Sequence, residues 1–283
     1  MWLVRCRLGA IGTYSRCMSS ISLSFVLLSQ NVYPDPAQVI AEAAQLGVGL
    51  THEMGEPTLL NFSIQGGGML IVMHVDAPHP DAATMQVGPT SPEPSVIAGH
   101  VGHYVVTALN VPEGAMHNDV LMGIVTAALI RSSPAVAAML GHGAIFHRAD
   151  MFAAFVEAAG TEIASEVVVD ITAANEGHDR MSFLTHGLDR YEREEFYVTS
   201  SVHGQGALDY VMALTKWMIA DRDKVLPTGD TVGRTADEQI IVQRVPSPIE
   251  GRPPVIRLDM DMDAPAPNTA PAKKKKKGWF RRG

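Results

Sequence analysis

The stretch TLLNFSIQGGGMLIVMHV, residues 58–75, consists of two apolar runs separated by three consecutive glycines. Thr58 to Ile64 and Met69 to Val75 have the length and the β-branched, apolar character of strands. Glycine adopts positive φ angles without steric cost, so Gln65-Gly66-Gly67-Gly68 is typical of a tight turn between them. The stretch therefore predicts a β-hairpin and, with it, antiparallel pairing in the surrounding sheet.

Elements of both kinds surround this hairpin. Apolar residues recur at helical spacing after Asp35, and Pro36 occupies a first-turn position where proline is tolerated. Residues 76–95 are rich in proline and aspartate and predict a long loop. The remaining expectations for this half are strands at Ser22 to Ser29 and Tyr104 to Leu109, and helices at Asp35 to Leu46, Asn118 to Ile130 and Pro134 to Leu140.

The second half repeats the mixture without regular alternation of strand and helix. We expect helices at Ala149 to Ala159 and Gly206 to Ala220, and strands at Gly143 to Phe146, Val167 to Ile171, Met181 to Thr185, Glu194 to Ser200, Gln239 to Val245 and Val255 to Asp259. This order favours an α+β fold with mixed or antiparallel sheets and helices packed on them. We predict one α+β domain over residues 18–260, with two similar halves, 18–140 and 141–260, as an alternative.

Both ends of the chain differ from this body. Residues 1–17 contain three arginines, no acid and the only cysteines, Cys6 and Cys17. We interpret them as a non-native or disordered extension before a start at Met18, with a targeting peptide as the rival interpretation. Residues 261–272 are rich in proline and alanine and predict a semi-extended linker. Residues 273–283 form a polybasic, aromatic tail, for which we predict disorder.

Composition narrows the range of functions. The net charge is −8, and removal of the seven positive charges of the tail leaves −15. So acidic a body disfavours a broad nucleic-acid-binding face, and we expect no nucleic-acid partner. No apolar run approaches the length of a membrane span. A body without cysteine fits a reducing compartment, so we expect a cytoplasmic protein.

Two segments of the second half carry a resemblance to a known family. Residues 185–198 read THGLDRYEREEFYV, and residues 229–233 read Gly229-Asp230-Thr231-Val232-Gly233. The chain resembles the bacterial family called domain of unknown function 4261, best over Val167 to Leu258. It departs from the family pattern at Glu192, where that pattern usually has glycine. The resemblance implies a bacterial origin but no activity, cofactor or catalytic residue, because none is agreed for the family.

Histidine pairs are the first candidate for chemistry. His100 and His103 lie three residues apart, and His142 and His147 lie five apart. Imidazole is a common metal ligand, but neither pair has the spacing that binds zinc from one helical face. We therefore interpret them as surface or turn histidines and expect neither a metal nor a cofactor.

Three other patterns have simpler structural interpretations. Gly229 to Gly233 is typical of a turn capped by Asp230. Glu192, Glu194 and Glu195 belong to a charged segment whose acids should not converge if a strand begins at Glu194. Ser200, Ser201 and His203 lack the glycine-framed elbow of a nucleophile. Trp217 and Met218 are expected to pack in the core.

The sequence predicts a non-enzymatic binding or accessory module with an unknown protein partner. One alternative is a hydrolase or transferase with a dispersed site that uses His100, His103 or His142. Another is an acidic inhibitor or immunity-type protein for a basic partner. The tail is the candidate surface-binding element and predicts weak contact with anionic membranes, peripheral at the inner membrane face. The alternative is a solubilising end that swings back onto the negative charge of the body itself. Its residues for this contact are Lys273, Lys274, Lys275, Lys276, Lys277, Trp279, Phe280, Arg281 and Arg282.

Overall fold

Two large β-sheets and the short strand pair of Thr231–Val232 with Ile240–Ile241, with helices packed against them, form the described body of the protein. A computed structural model describes residues 22–260, except 54, 112–114, 178, 202–204, 221–223 and 236–237. The predicted α+β class is confirmed, since the described residues form antiparallel and mixed sheets together with six α-helices. The extension 1–17, the linker 261–272 and the tail 273–283 lie outside the described residues.

The elements have the following bounds. The helices are α1 (Pro36–Gln45), α2 (Pro94–Ala98), α3 (Ala115–Arg131), α4 (Ala149–Ala159), α5 (Ser165–Val168) and α6 (Gln205–Ala220). The strands are β1 (Ser22–Leu28), β2 (Leu50–His52), β3 (Leu59–Ile64), β4 (Met69–Val75), β5 (Gly102–Leu109), β6 (Ala135–Leu140), β7 (His147–Arg148), β8 (Asp170–Gly177), β9 (Arg180–His186), β10 (Phe196–Ser201), β11 (Thr231–Val232), β12 (Ile240–Ile241), β13 (Gln243–Val245) and β14 (Val255–Asp259). Short 3-10 helices span Ala82–Thr84 and Leu188–Tyr191.

The first sheet has seven antiparallel strands in the order β2-β3-β4-β5-β1-β6-β7. The predicted hairpin is its β3–β4 pair, in which Phe62 lies opposite Leu70. Gly66, Gly67 and Gly68 all have positive φ angles between these strands. The local sequence therefore specified this turn because side chains other than glycine are strained there.

The helices α1, α3 and α4 cover one face of the first sheet. Val26, Phe62, Leu70 and Tyr104 point to this face and form a core with α1, α3 and α4. Asp35 caps α1 by accepting a hydrogen bond from the Ala37 N–H, with Pro36 in the first turn as predicted. The opposite face is covered over β1 and β6 by residues 79–98, where Leu27, Ala137, Met139 and Phe146 pack with Ala82.

The second sheet is mixed and has the order β13-β14-β10-β9-β8. Its β10–β14 pair is parallel, and its other pairs are antiparallel. Helix α6 packs against it through Val211 and Leu214, which belong to the same hydrophobic cluster as the core of the first sheet. The two sheets thus share one apolar core, and their loops meet along its border.

The predicted helix at Pro134 to Leu140 is wrong, because these residues form β6 between β1 and β7. A short apolar run fits a buried helix or a buried strand equally well, so its periodicity cannot distinguish them. The predicted strand at Gly143 to Phe146 is also wrong, since β7 begins only at His147. Within residues 22–260, as far as they are described, no helix is both long and apolar enough to cross a membrane.

Candidate functional site

A cleft of about 410 Å³ opens where loops of the two sheets meet. Its wall consists of residues from three loops and of one arginine from a fourth segment. The lining residues are Thr84, Met85, Gln86, His142, Gly143, Ala144, His186, Gly187, Asp189, Arg190 and Arg252. A second cavity, of about 130 Å³, shares His186, Asp189 and Arg252 with it. The cleft therefore continues past Arg252 toward the residues that precede β14.

Arg190 is fixed to the wall by a buried carboxylate from helix α3. Its Nη2 donates to Oδ1 of Asp119 over 2.7 Å, and the Tyr191 hydroxyl donates to Oδ2 over 2.6 Å. Asp119 lies on α3 and is 2% exposed. Burial, followed by the nearby negative charge of Asp119, raises the pKa of Tyr191 far above its usual value. The pair joins the 3-10 helix of the cleft to the core helix of the first half.

Arg252 lies at the mouth of the cleft and is exposed. Among the arginines that the structure describes, its guanidinium alone has neither an ion pair nor a hydrogen bond to a protein acceptor. A planar guanidinium presents several N–H donors and favours carboxylate or phosphate oxygens. Arg252 can therefore serve an anionic group that enters the cleft.

Two histidines of the wall are held in the neutral form. His142 donates from Nε2 to the Val168 carbonyl over 3.1 Å, and His186 Nε2 lies 2.9 Å from the Thr172 hydroxyl. Burial lowers the pKa of both. Arg190 lowers the pKa of His142 further, whereas for His186 the charge of Asp170 opposes burial and Arg252 supports it. Without a ligand, these imidazoles therefore contribute no positive charge to the cleft near neutral pH.

Asp170, at the start of β8, shapes the loop behind His142. Its Oδ2 accepts from the N–H groups of Ala144 and Ile145, and its Oδ1 accepts from Nε2 of the buried His147 over 2.8 Å. The remaining His147 nitrogen, Nδ1, lies 2.7 Å from the Thr90 hydroxyl. A hydroxyl, an imidazole and a carboxylate thus form one hydrogen-bonded chain beside the cleft.

Glycines let the backbone form the floor of the cleft. Gly187 has a φ of 114°, and a Cβ atom there would lie 2.9 Å from the Val168 carbonyl oxygen. A Cβ atom on Gly143 would lie 2.8 Å from Asp170 Oδ2. Larger residues at either position would push the loop away from its present hydrogen bonds.

The histidines selected from the sequence are not surface groups. His100 and His103 are both buried, and His147 is buried with Asp170. The His79 N–H donates to His100 Nε2 over 2.7 Å, and His103 Nδ1 donates to the Ala77 carbonyl over 2.9 Å. These contacts fix the loop that covers the first sheet, so the interpretation as surface or turn residues is wrong for all three.

No group of three or more histidine, cysteine, aspartate or glutamate side chains in the described part of the chain is arranged to hold a metal ion. Of the predicted histidines, His142 lies in the cleft, while His100 and His103 lie under the loop 79–98. The structure thus separates the three histidines proposed for a dispersed catalytic site.

The expected strand does not include Glu194 and Glu195, because β10 begins at Phe196, and both acids line the second cavity together with Asp189. Their contacts differ. Glu194 pairs with Arg244, whereas Glu195 accepts hydrogen bonds from the Thr185 hydroxyl and the N–H groups of Gly187 and Leu188. Burial raises the pKa of Glu195. Its contacts hold the turn that positions Arg190, a role that the sequence did not reveal.

The other candidates have structural roles or lie outside the description. Two backbone hydrogen bonds form the turn at Gly229. The Gly229 N–H donates to the Val242 carbonyl, and the Val242 N–H donates to the Asp230 carbonyl. Met218 is buried as expected, but Trp217 is 38% exposed and lies under the Lys224 ammonium. His203, the base considered beside Ser200, lies outside the described residues.

No protein-family model matches the chain, and no curated protein or solved structure is significantly similar to it. The resemblance to domain of unknown function 4261 therefore stays a prediction. The geometry of the cleft carries the functional argument alone.

Proposed function

We propose that this protein is a non-enzymatic binding module whose ligand presents an anionic group, such as a carboxylate or phosphate, to the cleft between the two sheets. The observation that carries the proposal is the unpaired guanidinium of Arg252 at the mouth of this cleft. An arginine that already has a carboxylate partner would lose that interaction on binding an anion. Arg252 has no such competing partner among the described residues.

The rest of the wall adds polar contacts that are already in place. Arg190 is oriented by Asp119, and His142 and His186 are oriented by hydrogen bonds to Val168 and Thr172. Preoriented side chains cost little conformational entropy when a ligand binds. Arg190 is the donor among them, because the single N–H of neutral His142 is already used by the Val168 carbonyl. Asp189 is the one acid of the lining, and Asp119 neutralises Arg190, so the attraction for a negative ligand depends on the guanidinium of Arg252.

Anion binding can be tested by thermal stability and calorimetry. We expect pyrophosphate or citrate to raise the Tm of the wild-type protein, because a ligand that binds only the folded state stabilises it by about 2.7 kcal/mol at 100 times its Kd. The Arg252→Gln variant should lose this increase. Arg148→Gln is the matched control, since Arg148 is also exposed but pairs with Asp150 away from the cleft lining. Equal responses of wild type and Arg252→Gln would refute the proposal.

The hydrolase alternative gains support from one arrangement, the chain of Thr90, His147 and Asp170. His147 Nε2 donates to Asp170, which leaves Nδ1 to accept the proton of the Thr90 hydroxyl. The order of groups is that of a hydroxyl nucleophile, its base and an orienting acid. Thr90 does not line the cleft, so this function would use a different surface.

A fluorophosphonate probe tests the alternative directly. Hydrolase chemistry requires covalent labelling of the wild-type protein at Thr90 and its loss in Thr90→Ala. Thr84→Ala serves as a control, because the Thr84 hydroxyl donates to a backbone carbonyl rather than to an imidazole. An unlabelled wild-type protein would leave the chain of groups with a structural role only.

A further inference from the structure

One part of the first sheet is open on the side opposite the helices. The loop 79–98 covers this face over β1, β6 and the His103 end of β5, whereas Leu59 on β3 and Met73 on β4 stay exposed. Leu59 lies opposite Met73, and Met73 lies opposite Val105, so these residues form a row across three strands. Leu59 is 40% exposed and Met73 is 42% exposed. We name the residues Leu59, Ile71, Met73 and Val105 the open face.

The surroundings of the open face are acidic. Residues 50–109, which include β2 to β5, contain no lysine or arginine. Glu56 forms a bridge with Leu59, and Asp76 follows the strand that carries Met73; both are exposed. Glu53 accepts a hydrogen bond from Ser63 on the same side of β3. An occupant of this face should therefore combine apolar side chains with positive charge.

The chain itself contains a segment with this chemistry. Residues 273–283 carry five lysines and two arginines around Trp279 and Phe280. Aromatic side chains bury a large apolar area, and Lys or Arg beside them can pair with the acids at the margin. We propose that the tail 273–283 docks on the open face of its own chain, with Trp279 and Phe280 on the row of Leu59, Met73 and Val105.

The length of the intervening chain permits this docking. The last described residue is Met260, and the linker 261–272 precedes the first lysine of the tail. An extended chain spans roughly 3.3–3.6 Å per residue, so about 13 residue steps reach about 45 Å. A folded body of this size has a radius of gyration of about 18 Å, so this reach extends well beyond the immediate surroundings of Met260.

The test places an NMR probe on the open face. In the full chain labelled with ¹³C-methyl methionine, the ring current of Trp279 should shift the Met73 methyl signal. Trp279→Ala should abolish the shift, and so should high salt, since the Debye length falls to about 3 Å at 1 M. The buried Met122 supplies an internal reference, and Trp217→Ala, which removes an exposed indole of the body, is the matched variant that should leave Met73 unchanged.

A second measurement distinguishes docking from membrane contact. If the open face sequesters the tail, full-length protein should bind phosphatidylserine vesicles more weakly than Met73→Lys, which places a positive charge on the face. Val225→Lys adds the same charge at a site that is 66% exposed and should not change vesicle binding.

Four results would overturn the proposal. The first is a Met73 signal that is the same in wild type and Trp279→Ala. The second is a Met73 shift that disappears on dilution, which would assign the face to a second copy. The third is a response of Met73 to deletion of residues 1–17 but not to Trp279→Ala. The fourth is vesicle binding that is equal in wild type and Met73→Lys.

Discussion

Removal of the Asp119 carboxylate should destabilise the protein more than any other single change to the polar groups around the cleft. Asp119 is 2% exposed and accepts from both the Arg190 guanidinium and the Tyr191 hydroxyl. Breaking a buried ion pair by removal of one partner costs about 3–5 kcal/mol, because the other charge is left without compensation. Arg190 is 20% exposed and can recover some hydration, which places Asp119→Ala near about 3 kcal/mol.

A smaller change to the hydrogen bonds of Asp119 should cost only part of this free energy of unfolding. Tyr191→Phe removes one hydrogen bond to a charged acceptor and should cost about 1.5–3 kcal/mol, while the ion pair stays intact. Because both contacts share Asp119, the double variant of Asp119→Ala and Tyr191→Phe should lose less free energy of unfolding than the two single variants together.

Urea unfolding with an unchanged m-value measures these costs. In the same variants, the binding of pyrophosphate reports on the cleft, and Asp119→Ala should keep it, since Arg190 then carries a charge that no carboxylate neutralises. An Asp119→Ala protein within about 1 kcal/mol of wild type would refute the reasoning, because so small a loss excludes an uncompensated buried arginine.

Three further predictions concern stability. Burial lowers the pKa of five histidines, namely His74, His79, His103, His142 and His186, so the unfolded state binds more protons below its pKa near 6.5. The contribution of these histidines to the free energy of unfolding should therefore be fully present above pH 6.5 and should decrease as the pH falls below that value. The decrease is at most about 1.4 kcal/mol per pH unit for each histidine that stays neutral in the folded state. A urea midpoint that is constant from pH 7.5 to 5 would contradict this prediction. Glu192 has a φ of 60° and a ψ of 35°, so Glu192→Gly should relieve strain and raise the free energy of unfolding by up to about 1 kcal/mol in a urea titration, and a loss of stability would show that contacts of the side chain matter more. Phe152 is fully buried, so Phe152→Ala should cost about 3–5 kcal/mol by the same assay, and a loss below 1 kcal/mol would place Phe152 outside the core.

The local sequence determined those elements whose start or turn depends on residues within the element itself. Asp35 and Pro36 predicted the start of α1, and the three glycines predicted the β3–β4 turn, because capping and positive φ depend on residues within one turn of the chain. The α+β class followed from the order of such elements. The local sequence did not determine that Pro134 to Leu140 form a strand, because this segment pairs with β1 and β7, which lie elsewhere in the sequence.

The candidate site depends on tertiary structure almost entirely. Arg190 meets Asp119 across 71 positions, and His147 meets Asp170 across 23, so no local pattern marks either pair. The sequence by itself determined that the body is acidic and that strands and helices mix in the order of an α+β fold. Only the packing of the two sheets decided which loops meet, because the free energy that joins them comes from a shared apolar core rather than from the polar residues that it brings together.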